Sequence, residues 1–220
     1  MSAPEPLARA TTVDALAGAL RARILEGELA GGARLVEQEL CEAYLVARHT
    51  ARAALRALAG EGLVTIAAHR GARVRALGRD DLRGLYELRT ALEVEAARMA
   101  LERGAGTLPR AVHDAARRLA VVARARQPRW NDLIDAHDAL HSEIVAASGS
   151  ARLSVAHAGL GAETRLFLVG LRPQWSAERM AADHLELVAA LEAAGPEALR
   201  SHLDESARAL GVVAQVRVEG

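Results

Sequence analysis

Apolar residues recur at helical spacing along nearly the whole chain. Val13, Leu16, Leu20 and Ile24 fall three or four apart, which predicts a helix over 13–25. Gly27, Gly31 and Gly32 end it. A short helix fits 36–44, with Leu40 and Tyr44 inward. After a turn at 45–47, a third fits 48–59, and Gly60 and Gly62 stop it. The pattern then changes. Segments 63–66 and 73–77, either side of Gly71, read as two short strands with a turn, the only β-structure expected. Asp80 and Asp81 suit the N-terminus of a new helix. Helical spacing then continues over roughly 80–103, 107–126, 130–148, 150–171, 175–194 and 197–213, broken at 104–106, 127–128, 148–150, 172–173 and 195–196.

Two domains follow from this order. Helix, helix, turn, helix and hairpin over 13–79 predict a winged helix-turn-helix. Six amphipathic helices with short loops over 80–213 predict an all-α antiparallel bundle. The fold class is therefore mostly α. Residues 1–12, with Pro4 and Pro6, read as a disordered lead-in, and 214–220 as a tail.

Composition sharpens the picture. Half of the 220 residues are apolar, yet only Tyr44, Tyr86, Trp130, Phe167 and Trp175 are aromatic, so Ala, Leu and Val must build the core. A single cysteine, Cys41, excludes a disulfide-stapled domain and reads as a small core residue rather than a redox sensor. No apolar run approaches the ~18 residues of a membrane span, and no leader pattern opens the chain, so a cytoplasmic protein is expected.

The formal charge is zero, but it is unevenly spread. Residues 1–79 carry eleven arginines and eight acids; residues 80–220 carry seventeen and twenty; there is no lysine. Between 43 and 79, seven arginines face Glu61 alone. Such a compact basic stretch suits a polyanion, because neutralised phosphates release counterions. Arg48, Arg52 and Arg56 lie one turn apart on the predicted third helix, beside an apolar face of Ala51, Ala54, Leu55 and Leu58. An arginine fork can bond guanine O6 and N7 or a phosphate. Arg48 and Arg52, nearer the helix N-terminus, are the better base readers. Arg70 and Arg73 in the hairpin suit backbone or minor-groove contacts. His49 and His69 are also placed to touch DNA.

These residues resemble a family. Gly32-Ala-Arg-Leu-Val-Glu, then Val46-Ala-Arg-His-Thr-Ala-Arg-Ala-Ala-Leu-Arg-Ala-Leu, Glu61-Gly-Leu-Val and Arg70-Gly-Ala-Arg-Val look like the DNA-binding domain of GntR regulators, over about 13–77. The resemblance implies contacts with double-stranded operator DNA from Arg34, Arg48, His49, Thr50, Arg52, Arg56, Arg70 and Arg73. The chain departs from the family pattern at Ala47, where Ser is usual, at Thr50, where Pro is usual, and at Gly31-Gly32, where Pro-Gly is usual.

Further along, four histidines share inward stripes on three predicted helices. His137 and His141 fall with Leu133, Ile134, Leu140, Ile144 and Val145. His184 falls with Leu187, Val188 and Leu191, and His202 with Leu199, Leu203, Ser206 and Leu210. Imidazole ligates Zn, Ni, Cu or Fe, and bundle interiors host such sites. The alternative is four hydrogen-bonded core histidines. Arg89 lies on the stripe of Leu82, Leu85, Tyr86 and Leu92; a buried arginine needs a partner, either Glu93 one turn on or the carboxylate of a ligand. His157 reads as pocket lining, and His113 as a surface or edge residue.

This half is similar to the FCD effector-binding domain, through Tyr86-Glu-Leu-Arg89, Leu92-Glu93, His137-Asp-Ala-Leu-His141, His184 and His202-Leu, over about 80–212. The resemblance implies a divalent metal held by His137, His141, His184 and His202, and a small carboxylate effector helped by Arg89 and Glu93. His137 stands where Asp is usual, a swap that favours Zn or Ni over Mn, weakens the site or leaves it empty. Together the two resemblances imply a dimeric, ligand-responsive transcription regulator, commonly a repressor, on a pseudo-palindromic operator. A constitutive DNA-binding protein whose bundle only dimerises is the alternative. A metal enzyme is disfavoured, because the inward stripes hold few free acids besides Glu93.

Overall fold

The computed structural model describes residues 11–67, 70–171 and 176–216, the side chains of 170–171 and 209–216 excepted. His69, most of the expected lead-in, the break at 172–173 and the end of the expected tail lie outside the described residues. The chain divides into two compact units, Met1–Ala76 and Leu77–Gly220.

The first unit contains α1 (Thr12–Leu25), β1 (Arg34–Leu35), α2 (Glu37–Tyr44), α3 (Arg48–Gly60), β2 (Val64–Ala67) and β3 (Gly71–Val74). Helix α1 begins with a capping box: the Thr11 hydroxyl accepts from Asp14 N–H while the Asp14 carboxylate accepts from Thr11 N–H. Its buried Leu16, Leu20 and Ile24 pack in one core with Ala51, Ala54, Leu55 and Leu58 of α3. Arg21 Nε donates to Glu61 Oε2 at 2.7 Å, tying α1 to the end of α3.

The sheet corrects the expected β-structure. It has three antiparallel strands in the order β1-β3-β2. The extra strand, β1, is two residues long with only Leu35 buried, too short to show alternation in a sequence. Strand β3 is Gly71–Val74 rather than 73–77. Gly71 opens it at φ +73°, a backbone conformation that favours glycine. Val74 closes it, exchanging 2.9 Å backbone bonds with Gly32 and Ala33.

Among the described residues the second unit is all helical: α4 (Arg79–Arg103), α5 (Arg110–Ala123), α6 (Trp130–Ala147), α7 (Ala151–Ala158), α8 (Gly161–Leu171), α9 (Ala177–Ala194) and α10 (Glu197–Val216). Helix α4 packs on α6 and α10, and α5 packs on α6 and α9. Leu119, Leu133, Leu140, Ile144, Leu168, Met180, Leu191 and Leu199 are fully buried in the core. The expected single helix over 150–171 is two. Gly159 caps α7, and the Gly159-Leu160-Gly161 sequence lets the chain turn into α8. That break places His157 in the last turn of α7, buried.

Candidate functional site

The arginine face of α3 forms as its spacing predicts. Arg48, His49, Arg52 and Arg56 are exposed, while the adjoining Ala51, Ala54, Leu55 and Leu58 are buried. Thr50 departs from the expectation of a DNA contact: it is buried, facing the first unit's core. Arg52 Nε donates to both oxygens of Glu37 at the start of α2, at 2.9 and 3.0 Å. The arginines beside Glu37, Arg52 first, hold its carboxyl below the usual range.

The missed strand β1 adds a feature that composition alone does not reveal. Its register sets Arg34 directly opposite Arg73 of β3, and both are exposed. Like charges opposite each other on a sheet are destabilising, so the pair concentrates positive charge at some cost in stability. Arg73 Nη1 also donates to Gly32 O at 2.9 Å, which holds its fork along the strand. Arg70 is exposed at the hairpin turn.

In the second unit, α6 and α9 bring His137, His141 and His184 together. One ring nitrogen from each lies within 4.8 Å of the others, and all three residues are buried. Their hydrogen bonds define which nitrogens carry protons. His184 Nδ1 lies 2.7 Å from Met180 O, which only accepts, so Nδ1 carries the hydrogen. His141 Nδ1 lies 2.6 Å from Glu93 Oε2. Despite complete burial, Arg89 and His141 hold the Glu93 carboxyl well below its usual range, so it is ionised and His141 Nδ1 donates.

Burial holds the rings of His137 and His184 neutral, far below the ordinary imidazole range, and lowers His141 as well. With both Nδ1 atoms donating, the two Nε2 lone pairs of His141 and His184 face each other at 3.2 Å. Two lone pairs in that position do not bond. Two nitrogens on one zinc at ~2.0–2.1 Å in tetrahedral geometry are about 3.3 Å apart. His137 Nδ1 is buried without any hydrogen-bond partner. These donor atoms fit a soft or borderline divalent cation, with Glu93 and the Met180 carbonyl orienting the ligands from behind.

His202, on α10, stands beside this trio rather than within it. Its ring centroid is 4.6 Å from that of His184 and 5.9 Å from that of His141. It is partly exposed, and burial with the nearby His141 holds its imidazole down to about 3. His184 and His202 line a cleft of about 480 Å³ between α9 and α10.

Arg89 and Glu93 form the intrahelical pair. Arg89 Nε donates to Glu93 Oε1 at 2.7 Å, and the two side chains are 3% and 0% exposed. The Arg89 guanidinium also lies over the Tyr86 ring, 5.2 Å from its centroid. Sequence reasoning missed the role of His157, whose Nε2 reaches Glu93 Oε1 at 3.2 Å. Glu93 is thus a hub for Arg89, His141 and His157. The available signal was the inward stripe of α7, which put His157 on the same side as the other histidines. Asp138 pairs with Arg165 of α8.

Comparison with known proteins places both halves. Residues 12–74 match the model of the bacterial regulatory proteins of the gntR family, and residues 84–209 match the FCD domain. An HTH-type transcriptional regulator named BphR, from Paraburkholderia xenovorans strain LB400, is 32% identical over 218 residues, 93% of this chain and 88% of the relative. A solved GntR transcriptional regulator from Rhodococcus sp. RHA1 superposes with a TM-score of 0.72 at 25% identity, covering 90% of this chain and 96% of the other. Escherichia coli McbR/YncC, at 20% identity and a TM-score of 0.69 over 96% of this chain and all of the other, shares the fold. No helix among the described residues is long and apolar enough to cross a membrane. The chain belongs to the GntR family of DNA-binding transcription regulators, with an FCD domain as its second half.

Proposed function

We propose that the chain is a dimeric, ligand-responsive repressor whose helical domain senses a small carboxylate metabolite through a divalent metal. The observation that carries this reading is the pair of facing Nε2 lone pairs on His141 and His184, with the orphaned His137 Nδ1 beside them. His137, His141 and His184 would hold the cation, with His202 at the edge of the site as a fourth ligand. An all-imidazole set suits Zn or Ni better than Mn. The metal would supply a Lewis-acidic position for the effector's carboxylate, and Glu93 and Arg89 would set the orientation of His141 behind it.

In the first unit, Arg48 and Arg52 would read base edges, assisted by His49 and Arg56, while Arg34, Arg70 and Arg73 would hold phosphates. The expected part for Thr50 is confined to its backbone, since its side chain is buried. Two copies would occupy the half-sites of a pseudo-palindrome. Effector binding would release the operator to the extent that it prefers one arrangement of the dimer.

The test is metal analysis of protein purified without a histidine tag, followed by thermal-shift screening of small carboxylates with and without Zn²⁺ or Ni²⁺. About one metal per chain, and carboxylate stabilisation only in its presence, is the expected result. Protein that takes up no metal on titration retires the sensing reading and leaves the DNA-binding one standing.

A further inference from the structure

An acid sits among the arginines of α3. Glu37 lies in the first turn of α2, and Arg52 Nε donates to both of its oxygens, at 2.9 and 3.0 Å. Arg48 and Arg56, one turn to either side of Arg52, act on the same carboxylate through their charge. Among the described residues, only Arg52 is hydrogen-bonded to it. The two side chains keep 57% and 35% of their exposure, so the pair is open to a ligand. Arg73 is braced differently: its partner is a backbone carbonyl, Gly32 O, which brings no formal charge.

The choice of nitrogen matters. Both bonds fall on Nε, so Glu37 leaves the Nη1–Nη2 edge of the guanidinium unused. That edge carries the parallel N–H donors that can bond guanine O6 and N7 together. The charge matters as well. A guanidinium against an ionised carboxylate carries little net charge, so it gains little by displacing a counterion at a phosphate. Its directional donors to a base edge remain. Holding the side chain beforehand also removes part of the rotamer freedom that a free arginine loses on binding.

We infer that Glu37 is a specificity-determining positioning residue: by bracing Arg52 through Nε and offsetting its charge, it commits that arginine to a guanine edge rather than to a phosphate. This rests on the reading above that Arg52 meets a base, and adds the residue that directs it there. The bland role for Glu37 is that of an acid at the N-terminus of α2, which Glu39 shares in the same turn. Glu39→Gln is therefore the control.

The experiment uses full-length protein and a short duplex selected by it from a random pool. Binding is measured by fluorescence anisotropy over a range of salt concentrations. The selected duplex is compared with copies in which each G·C pair in turn becomes A·T, and with a scrambled duplex. Arg52→Ala is expected to lose discrimination at one G·C pair. Glu37→Ala should lose about three-fold or more at the same pair, while binding the scrambled duplex at least as tightly as wild type, with a salt slope steeper by about 0.9. Glu37→Gln should steepen the slope alike and lose less discrimination, because its amide oxygen still accepts from Nε. Glu39→Gln should keep the wild-type discrimination. In the Arg52→Ala background, Glu37→Ala should add no further loss.

Equal weakening of selected and scrambled duplexes by Glu37→Ala overturns the inference and leaves Glu37 a support for α2. Discrimination that rises in Glu37→Ala overturns it too, since Glu37 then competes with the base for Arg52. So does a further loss in the double variant, which would mean that Glu37 acts without Arg52. If Arg52→Ala itself leaves discrimination unchanged at every pair, the base-reading role of Arg52 falls and this inference with it. If only the Glu37 variants are silent, that role stands and the positioning role alone falls.

Discussion

Replacing Glu93 with Gln tests the centre of the second unit most directly. The substitution keeps shape and volume and removes one charge. Glu93 is fully buried, and three groups converge on its two oxygens: Arg89 Nε at 2.7 Å and His157 Nε2 at 3.2 Å on Oε1, and His141 Nδ1 at 2.6 Å on Oε2. An amide offers one acceptor and one NH₂, so at least one of these partners would meet a donor. The larger effect is on Arg89, left as a buried cation without a countercharge. Removing one partner of a buried ion pair costs about 3–5 kcal/mol. That is a large part of the roughly 5–15 kcal/mol that holds an ordinary domain together. Urea unfolding of metal-free protein at pH 7.5, followed by tryptophan fluorescence, is the assay. Trp130 and Trp175 both belong to the second unit, so the signal reports that unit without the first. The double variant Arg89→Met/Glu93→Leu removes both charges with similar volume, and such replacements are often neutral or stabilising. It should therefore recover most of the loss. A loss below about 1 kcal/mol in Glu93→Gln refutes the idea that Glu93 is the countercharge of Arg89. A double variant as unstable as the single one shows instead that the hydrogen bonds to His141 and His157 carry the energy.

Other outcomes follow from the same geometry. The imidazoles of His137, His184 and His202 are held below their unfolded value by burial, so the unfolded chain binds protons that the folded one refuses as pH falls below about 6.5. Their stability contribution is complete above that pH, and about 1.4 kcal/mol per imidazole is lost by pH 5.5; the unfolding free energy of metal-free protein from urea titration should drop by about 4 kcal/mol between pH 7.5 and 5.5, and an unchanged value contradicts the burial argument. Glu93, with its depressed pKa, contributes stability above about pH 4.3 and is unaffected in this window. In the first unit, Leu45 lies at φ +53° with 92% exposure, so Leu45→Gly should relieve left-handed strain without losing packing, a gain of about 0.5–1 kcal/mol read from amide exchange in α3. Helix α3 has no side-chain cap at Ala47, and Ala47→Ser should slow exchange at its first amides, worth about 1 kcal/mol. Arg48→Ala and Arg52→Ala should each weaken binding to a selected operator duplex by about 1–3 kcal/mol, whereas Arg34→Ala and Arg73→Ala should weaken all duplexes alike and reduce the salt slope by about one each.

Long amphipathic segments were legible in the sequence because their signal repeats. Leu133, Ile134, His137, Leu140, His141 and Ile144 mark a single face over three turns, and the structure buries them together. The three histidines of the trio could be read for the same reason. Strand β1 could not, since two residues carry no period and its existence depends on pairing with β3, far along the chain. The division of α7 from α8 was hidden because the apolar stripe of Leu153, His157, Leu160 and Thr164 continues across Gly159. The burial of Thr50 follows from its place one residue ahead of Ala51 on the inward face of α3, where the arginine spacing alone drew attention to the opposite side. Arg89–Glu93 could be named as a pair from their i, i+4 spacing, but the convergence of His141 and His157 on Glu93 comes from two other helices and needs the tertiary structure.

The two buried charges also explain how a bundle core can hold a cluster of neutral imidazoles without becoming unstable. Neutral histidines demand an apolar surrounding, since burial is what keeps them deprotonated. That surrounding makes any lone carboxylate costly, yet a carboxylate is needed to fix the His141 tautomer so that Nε2 points at the cluster. Arg89 reconciles the two demands: it neutralises Glu93 at 2.7 Å while its guanidinium rests over Tyr86, leaving His141 Nδ1 free to donate to the second oxygen. Lysine would serve poorly there, because a compact ammonium is more strongly hydrated and lacks the planar fork that stacks and bonds at once. The consequence is that Glu93 orients the site without lending it net negative charge.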